Sequence, residues 1–328
     1  MIVDFETHYY PREYISKLRE RNAPPRFLLD SERGLVLEYD PKIRIPRQKL
    51  LSKFTDVETR LRDMRDARVD VQVLSVPLPG VDKMEPDFAV RTCAAANDAL
   101  SQICQSNPSR FCGLALLPVQ AGEAARDELR RSVSDLGLKG GYLHSNCDGN
   151  YLDSREHLMV LREAARLSVP IFVHPTVPFE HDNMEQHRLA STFGLQVDLS
   201  LSLLRLIFSS AMEELPNLKL IISHLGSTLP FISNRIDDEY GFARAPETTI
   251  PRKPSEYIKR FYVDTVTMDS KPLEYAAEYF GTDHMVFGSD YPFWDTRAHI
   301  DAVERSRLTT TRKEEIFSCT AMSLLKLG

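Results

Sequence analysis

Glu6-Thr7-His8 ends the first short apolar run of the chain, Met1–Phe5. The run reads as a buried strand, with Asp4-Phe5-Glu6-Thr7-His8 at its C-terminal end. On a strand, a spacing of two turns Glu6 and His8 to the same face. A carboxylate beside an imidazole is half of a divalent-metal site. Later runs supply the other half. His174 closes Phe172-Val173-His174-Pro175, and Asp290 sits in Gly288-Ser289-Asp290-Tyr291-Pro292. His224, in Ser223-His224-Leu225-Gly226, closes another run. A lone histidine after a strand is more often packed or hydrogen-bonded than a ligand. Five polar residues at the ends of four predicted strands are much harder to explain by packing. Two carboxylates and two imidazoles suit a divalent ion of borderline hardness, Zn2+ or Mn2+. Four protein groups plus water or substrate fill such a coordination sphere. His224 therefore reads as an acid/base rather than a ligand, and Asp290 can be both ligand and proton carrier.

These residues need a scaffold that brings strand ends together. Eight short runs rich in β-branched residues recur along the chain: Met1–Phe5, Val69–Val76, Phe111–Leu117, Leu138–Leu143, Val169–Val173, Leu218–Ser223, Arg260–Asp264 and Met285–Ser289. Amphipathic, helix-like stretches lie between them, among them Val57–Arg68, Asp87–Ser106, Glu123–Leu136, His157–Leu167 and Leu199–Leu215. Strands alternating with helices imply an α/β fold with a parallel sheet. The length of 328 residues matches a (β/α)8 TIM barrel, whose site is built at the C-terminal strand ends. A doubly wound open sheet is the competitor, weakened by the lack of GxGxxG after the first run. One domain over 1–328 is expected, with an irregular or partly extended insertion near 24–48 at the barrel mouth.

Bulk properties narrow the partners. A net charge of −6 and the lack of any long basic run argue against nucleic acid or an anionic membrane surface. No apolar stretch reads as long enough to span a bilayer. The N-terminus lacks the layout of a signal peptide, so a cytoplasmic location is expected. Cys93, Cys104, Cys112, Cys147 and Cys319 show no ligand-type pairing and read as scattered reduced thiols. His181 and His187 fall on a polar stretch after His174 and read as loop residues over the mouth. His144 is a secondary candidate after the fourth run. His157, His284 and His299 read as surface or helix positions.

Several longer motifs resemble a known family. Asp56–Asp66 with Val69–Leu74, Leu152–Pro175, Arg205–Ser209, Pro216–Lys219, His224–Gly226, Pro230-Phe231 with Arg235, and Gly288–Pro292 together resemble the amidohydrolase superfamily. The likeness is to the amidohydrolase-2 branch, which holds aminocarboxymuconate semialdehyde decarboxylase and aromatic-acid decarboxylases. The resemblance implies that Glu6, His8, His174 and Asp290 bind one metal and that His224 is the catalytic acid/base. The superfamily's common first motif is His-x-His. Glu6-Thr7-His8 is instead similar to that of γ-resorcylate and 5-carboxyvanillate decarboxylases. No bridging lysine follows the fourth run, so a mononuclear site is expected.

The leading expectation is a metal-dependent, non-oxidative decarboxylase of a hydroxylated aromatic or related unsaturated carboxylic acid. Its small-molecule substrate would chelate the metal through the carboxylate and an adjacent oxygen. Glu6 adds negative charge to the ligand set, which makes a bound water a weaker acid and favours direct chelation over hydrolysis. A hydrolase of a lactone, amide or C–C bond, or a hydratase, would use the same parts. A barrel retained only as a scaffold is the non-enzymatic alternative, against which the intact ligand set argues. Arg47, Arg235 and Arg252 are candidates for a second carboxylate or a phenolate, with surface solvation as the plainer reading. Phe293 and Trp294, with Phe179, are candidates for an apolar wall against a flat ring. Family likeness also implies a homodimer or higher homo-oligomer.

Overall fold

In a computed structural model, residues 1–39, 48–178, 182–184, 186–242 and 250–327 are described. Eight parallel strands close into a barrel. They are β1 Val3–His8, β2 Val71–Ser75, β3 in two pieces (Phe111–Gly113 and Ala115–Leu116), β4 Gly141–His144, β5 Pro170–His174, β6 Lys219–Ile222, β7 Tyr262–Asp264 and β8 Met285–Val286. The split in β3 carries the ring across: its first piece pairs with β2 and its second with β4. Pairing then runs in order from β4 to β8. The amide of Phe5 donates to the Phe287 carbonyl at 2.8 Å, and Thr7 bridges Tyr291. Those contacts join β8 to β1 and exclude an open, doubly wound sheet.

A helix follows each strand, from Val57–Ala67 after β1 to Thr296–Arg305 after β8. Caps set several starts: Asp56 accepts from the Thr59 amide, Ser154 from His157 and Asp295 from Arg297. Apolar faces of these helices pack on the outside of the strands in one large core. A second apolar cluster fills the lower barrel: Val3, Phe5, Val73, Cys112, Leu114, Tyr142, Phe172, Ile221 and Val286. Ala321, Leu324 and Leu325 of the C-terminal helix Thr320–Leu325 close it from below. Gly140 is required where β4 nears β5, since a Cβ there would lie 2.2 Å from the Pro170 carbonyl oxygen.

Two expectations are adjusted, and one is made definite. The stretch near 24–48, expected to be irregular or partly extended, is extended where described. It forms a three-stranded antiparallel sheet of Arg26–Asp30, Gly34–Glu38 and Gln48–Lys49, and Leu37 and Tyr39 from it reach the mouth. The predicted helix 199–215 breaks at Ser210, whose φ of 66° ends the helix Leu195–Phe208 before a short turn, Ala211–Glu214. Gln186–Phe208 is, by length and hydropathy, apolar enough to cross a membrane, contrary to the sequence reading. In the fold a short turn at Gln186–Arg188, broken by left-handed His187 and Arg188, precedes a π-helical turn Ala190–Gly194 and the barrel helix Leu195–Phe208. Its buried Asp198 accepts hydrogen bonds from Ser145, Asn146 (2.9 Å) and Tyr151 (3.0 Å), which tie it to the loop after β4.

Candidate metal centre and cavity

A bulge in β1 builds the first half of the site. Pairing with β2 shifts register between Asp4 and Thr7. Before the bulge, Val3 and Phe5 point into the barrel. After it, Glu6 and His8 point in instead. Bulges re-aim side chains in this way. Glu6, His8, His174 and Asp290 are all buried, and one ligand atom from each lies within 4.8 Å of the others. Asp290 Oδ1 is 2.7 Å from His8 Nε2, and Glu6 Oε1 is 3.4 Å from His174 Nε2.

Neighbouring groups hold the imidazoles by their outer nitrogens, with Nε2 of each turned toward a carboxylate of the cluster. His174 Nδ1–H donates to the Pro175 carbonyl at 2.8 Å. Burial lowers the His174 pKa well below its usual value, and nearby His8, His224 and His144 lower it further. His174 is therefore neutral, with its Nε2 lone pair facing Glu6. Ser75 Oγ donates to the Thr7 carbonyl at 3.1 Å and lies 3.2 Å from His8 Nδ1, so it accepts the Nδ1–H. That leaves His8 Nε2 for a metal.

The carboxylates make the case for a cation. Burial raises the Glu6 pKa well above its usual value, and the neighbouring Asp264, Asp290 and Asp4 add to the rise. Neither Glu6 oxygen has a hydrogen-bond partner. Tyr142 OH, His144 Nε2, Ser223 Oγ and Asp264 Oδ2 are also buried and unpaired, and all belong to the upper ends of barrel strands. An unpaired buried polar group is costly and uncommon. Glu6 without a partner, gathered this closely with Asp290 and the inner nitrogens of His8 and His174, fits one divalent metal ion held by all four.

His224 stands beside this set. Its ring centroid is 5.8 Å from that of His174, and the imidazole faces a cavity of about 670 Å³ above the four ligands. Among the described residues its side chain makes no hydrogen bond. Its φ of 55° and that of Leu225, 56°, are left-handed, a sparsely populated conformation often found at functional sites. Asp264 steadies this turn by accepting from the amides of Leu225 (3.3 Å) and Val266 (3.0 Å). Gly288 lets the strands close here, because a Cβ would lie 3.1 Å from those of Glu6 and Asp264.

Phe293 and Trp294 line the cavity, and Phe293 meets the His8 ring edge-on at 5.5 Å. Trp294 has a second task that the sequence did not indicate. Its indole Nε1–H donates to Asp290 Oδ2 at 3.0 Å, fixing the carboxylate with Oδ1 toward His8. The predicted arginines are placed differently. Arg235 is 80% exposed and pairs with Glu239 at 3.0 Å on its own helix. Arg252 is 58% exposed, 3.8 Å from Glu213. Neither lines the cavity in this chain, because both project from the outer helical layer. Arg47, Phe179 and His181 lie outside the described residues. Arg188 lines the cavity.

Three further residues were not read as functional from the sequence. Arg60 is fully buried and donates to the His8 carbonyl and to Gln72 Oε1 (2.9 Å), with its guanidinium 4.7 Å from the Tyr291 ring centre. Burial lowers its pKa to about 10, so it remains charged at neutral pH. Asp264 carries the same signal as the other site residues, a carboxylate at a strand end. His299 lies on a helix, as the sequence suggests, and also lines the cavity.

Fold and site together define a metal-dependent barrel enzyme with a closed-floored, mostly apolar cavity. The family model described as Amidohydrolase matches residues 3–327, and the chain belongs to that family. It is 34% identical to 2-amino-3-carboxymuconate-6-semialdehyde decarboxylase of Dictyostelium discoideum, over 73% of this chain and 67% of that protein. It is 28% identical to a γ-resorcylate decarboxylase of Rhizobium sp., over 92% and 97% respectively. A crystal structure of dihydroxybenzoic acid decarboxylase from Polaromonas sp., with manganese and the inhibitor 2-nitroresorcinol, superposes with a TM-score of 0.83 at 25% identity, covering 99% of this chain and 97% of that one.

Proposed function

We propose that the protein is a metal-dependent, non-oxidative decarboxylase, a carboxy-lyase, acting on a hydroxylated aromatic or related unsaturated carboxylic acid. The observation that carries this reading is the bare Glu6 carboxylate among three further buried donors at the floor of an apolar-walled cavity. When bound, the divalent ion supplies a Lewis-acid centre that chelates the substrate carboxylate and an adjacent oxygen. Phe293 and Trp294 hold the flat ring over that centre. Arg188, at the rim, meets a second acidic group or a phenolate. Asp290 delivers a proton to the ring carbon that bears the carboxylate. Conjugation breaks, the C–C bond cleaves, carbon dioxide leaves, and the bonding pair returns to the ring. His224 holds and resupplies the proton from the cavity side. The protein acts as a homodimer or higher homo-oligomer, in which a second copy covers the exposed Phe231 and Ile232 of the helix Leu229–Phe242.

The test is turnover of hydroxybenzoates by manganese-loaded protein in D2O and in H2(18)O. Decarboxylation releases carbon dioxide and leaves deuterium on the carbon that carried it. Solvent oxygen in the product with no carbon dioxide would instead mean hydrolysis. His224→Asn should keep the metal and lose turnover by roughly 10²-fold or more.

A further inference from the structure

His299 lies on the helix Thr296–Arg305, one turn past the loop that carries Asp290 and Trp294. It is 1% exposed, yet its ring belongs to the wall of the same cavity as Asp290 and His224. Its Nδ1 is 2.9 Å from the Asp295 carbonyl oxygen. A carbonyl can only accept, so Nδ1 carries the proton. In the neutral ring Nε2 is then a fixed acceptor, and among the described residues it has no partner. Nε2 is not among the fully buried unpaired atoms, so a molecule in the cavity, a ligand or water, can donate to it. Val266 and Met268, from the loop after β7, add apolar wall to the same cavity, and Thr267 between them is already hydrogen-bonded to Asp269.

We propose that His299 is a specificity-determining residue, whose Nε2 accepts a hydrogen bond from a donor on the substrate ring. This rests on the decarboxylase reading and names its substrate class more closely. His299 is not among the metal ligands, so the group it receives is not the carboxylate or the chelating oxygen beside it. The preferred ligands are therefore aromatic acids with a further hydroxyl (or ring N–H) beyond the chelating pair. A site built to accept from a substrate hydroxyl discriminates strongly against the analogue that lacks it, because its own polar group is then left unpaired.

The experiment is calorimetric titration of full-length, manganese-loaded protein with salicylate and with its 3-, 4-, 5- and 6-hydroxy derivatives. Salicylate carries the chelating pair alone. At least one derivative should bind wild-type protein roughly tenfold or more tightly than salicylate. In His299→Leu that preference should fall to within about threefold of unity, and His299→Gln, which keeps an acceptor, should retain part of it. Metal content and melting temperature confirm that both variants fold. A preference equally strong in His299→Leu overturns the inference, as does a uniform weakening of all ligands, which marks a structural role. If salicylate binds but no derivative binds better, the inference alone fails. If none of the five binds, the hydroxylated aromatic acid falls as the substrate class of the decarboxylase reading and takes the inference with it.

Discussion

The lower and upper halves of the barrel interior are built from the same strands and differ in what they leave unsatisfied. On β4, Tyr142 is followed two residues later by His144; on β5, Phe172 is followed by His174. Below, Phe172 stacks between Phe5 (centroids 6.0 Å) and Tyr142 (5.8 Å), and the C-terminal helix seals the floor. Above, Glu6, Asp264 and His144 carry buried atoms with no partner. Apart from the Tyr142 hydroxyl, the lower half is satisfied by packing alone. The upper half is satisfied only when a cation, a ligand or water completes it. Stability and function are thus separated along one axis of one sheet, within the length of two residues on each strand.

Glu6→Gln breaks that contrast most severely. It removes one buried charge and one strong ligand, so metal affinity should fall by more than roughly 10²-fold and turnover with it. The metal-free variant should melt higher than metal-free wild type, because an uncompensated buried carboxylate is gone. Metal analysis and calorimetry check both. A lower melting temperature would mean that the upper half is as self-satisfied as the lower.

Phe172→Ala tests the opposite end. It should cost about 3–5 kcal/mol in denaturant unfolding, the range for emptying a buried aromatic site, while the folded fraction keeps its metal. Retained stability with lost metal would erase the distinction between the halves.

A buried histidine outside the barrel sharpens the comparison. His157 is buried like His174, but Ser154 Oγ lies 2.8 Å from its Nδ1. Burial lowers its pKa from 6.5 to about 4, with Asp82 and Asp153 partly opposing the shift. The unfolded chain therefore binds this proton at higher pH than the folded one. Stability is full above about pH 6.5 and declines as pH falls toward 4, by roughly 3 kcal/mol in all. His157→Gln should flatten that part of the pH–stability curve, measured on metal-free protein by urea unfolding between those limits. An unchanged slope would assign the pH dependence to other groups.

Trp294→Phe is the mildest change. It keeps an aromatic wall but removes the donor to Asp290 Oδ2. Metal affinity, read by chelator competition, should weaken by about 10-fold, at the low end for loss of a group that orients a ligand. Melting temperature should hardly move, because Trp294 is 55% exposed.

The sequence by itself determined the periodic order of strands and helices, and hence the barrel. It also placed Glu6, His8, His174, His224 and Asp290 at strand ends. Both follow from local rules: apolar runs of strand length, helical periodicity, and the fact that a parallel barrel brings all its C-terminal strand ends to one mouth. Tertiary structure decided what those rules cannot reach. The bulge that turns Glu6 inward above Phe5 depends on pairing with β2, not on any residue type in Asp4–Thr7. The hydrogen bond from Trp294 to Asp290, the cation of Arg60 against the His8 carbonyl, and the ring of His299 in the cavity wall are contacts between side chains whose directions local periodicity does not set. Arg235 and Arg252 carried the right charge but sit on the outer faces of the helical layer. A residue type announces what chemistry it can do. Only the packing of the elements decides which way it points and what it meets there.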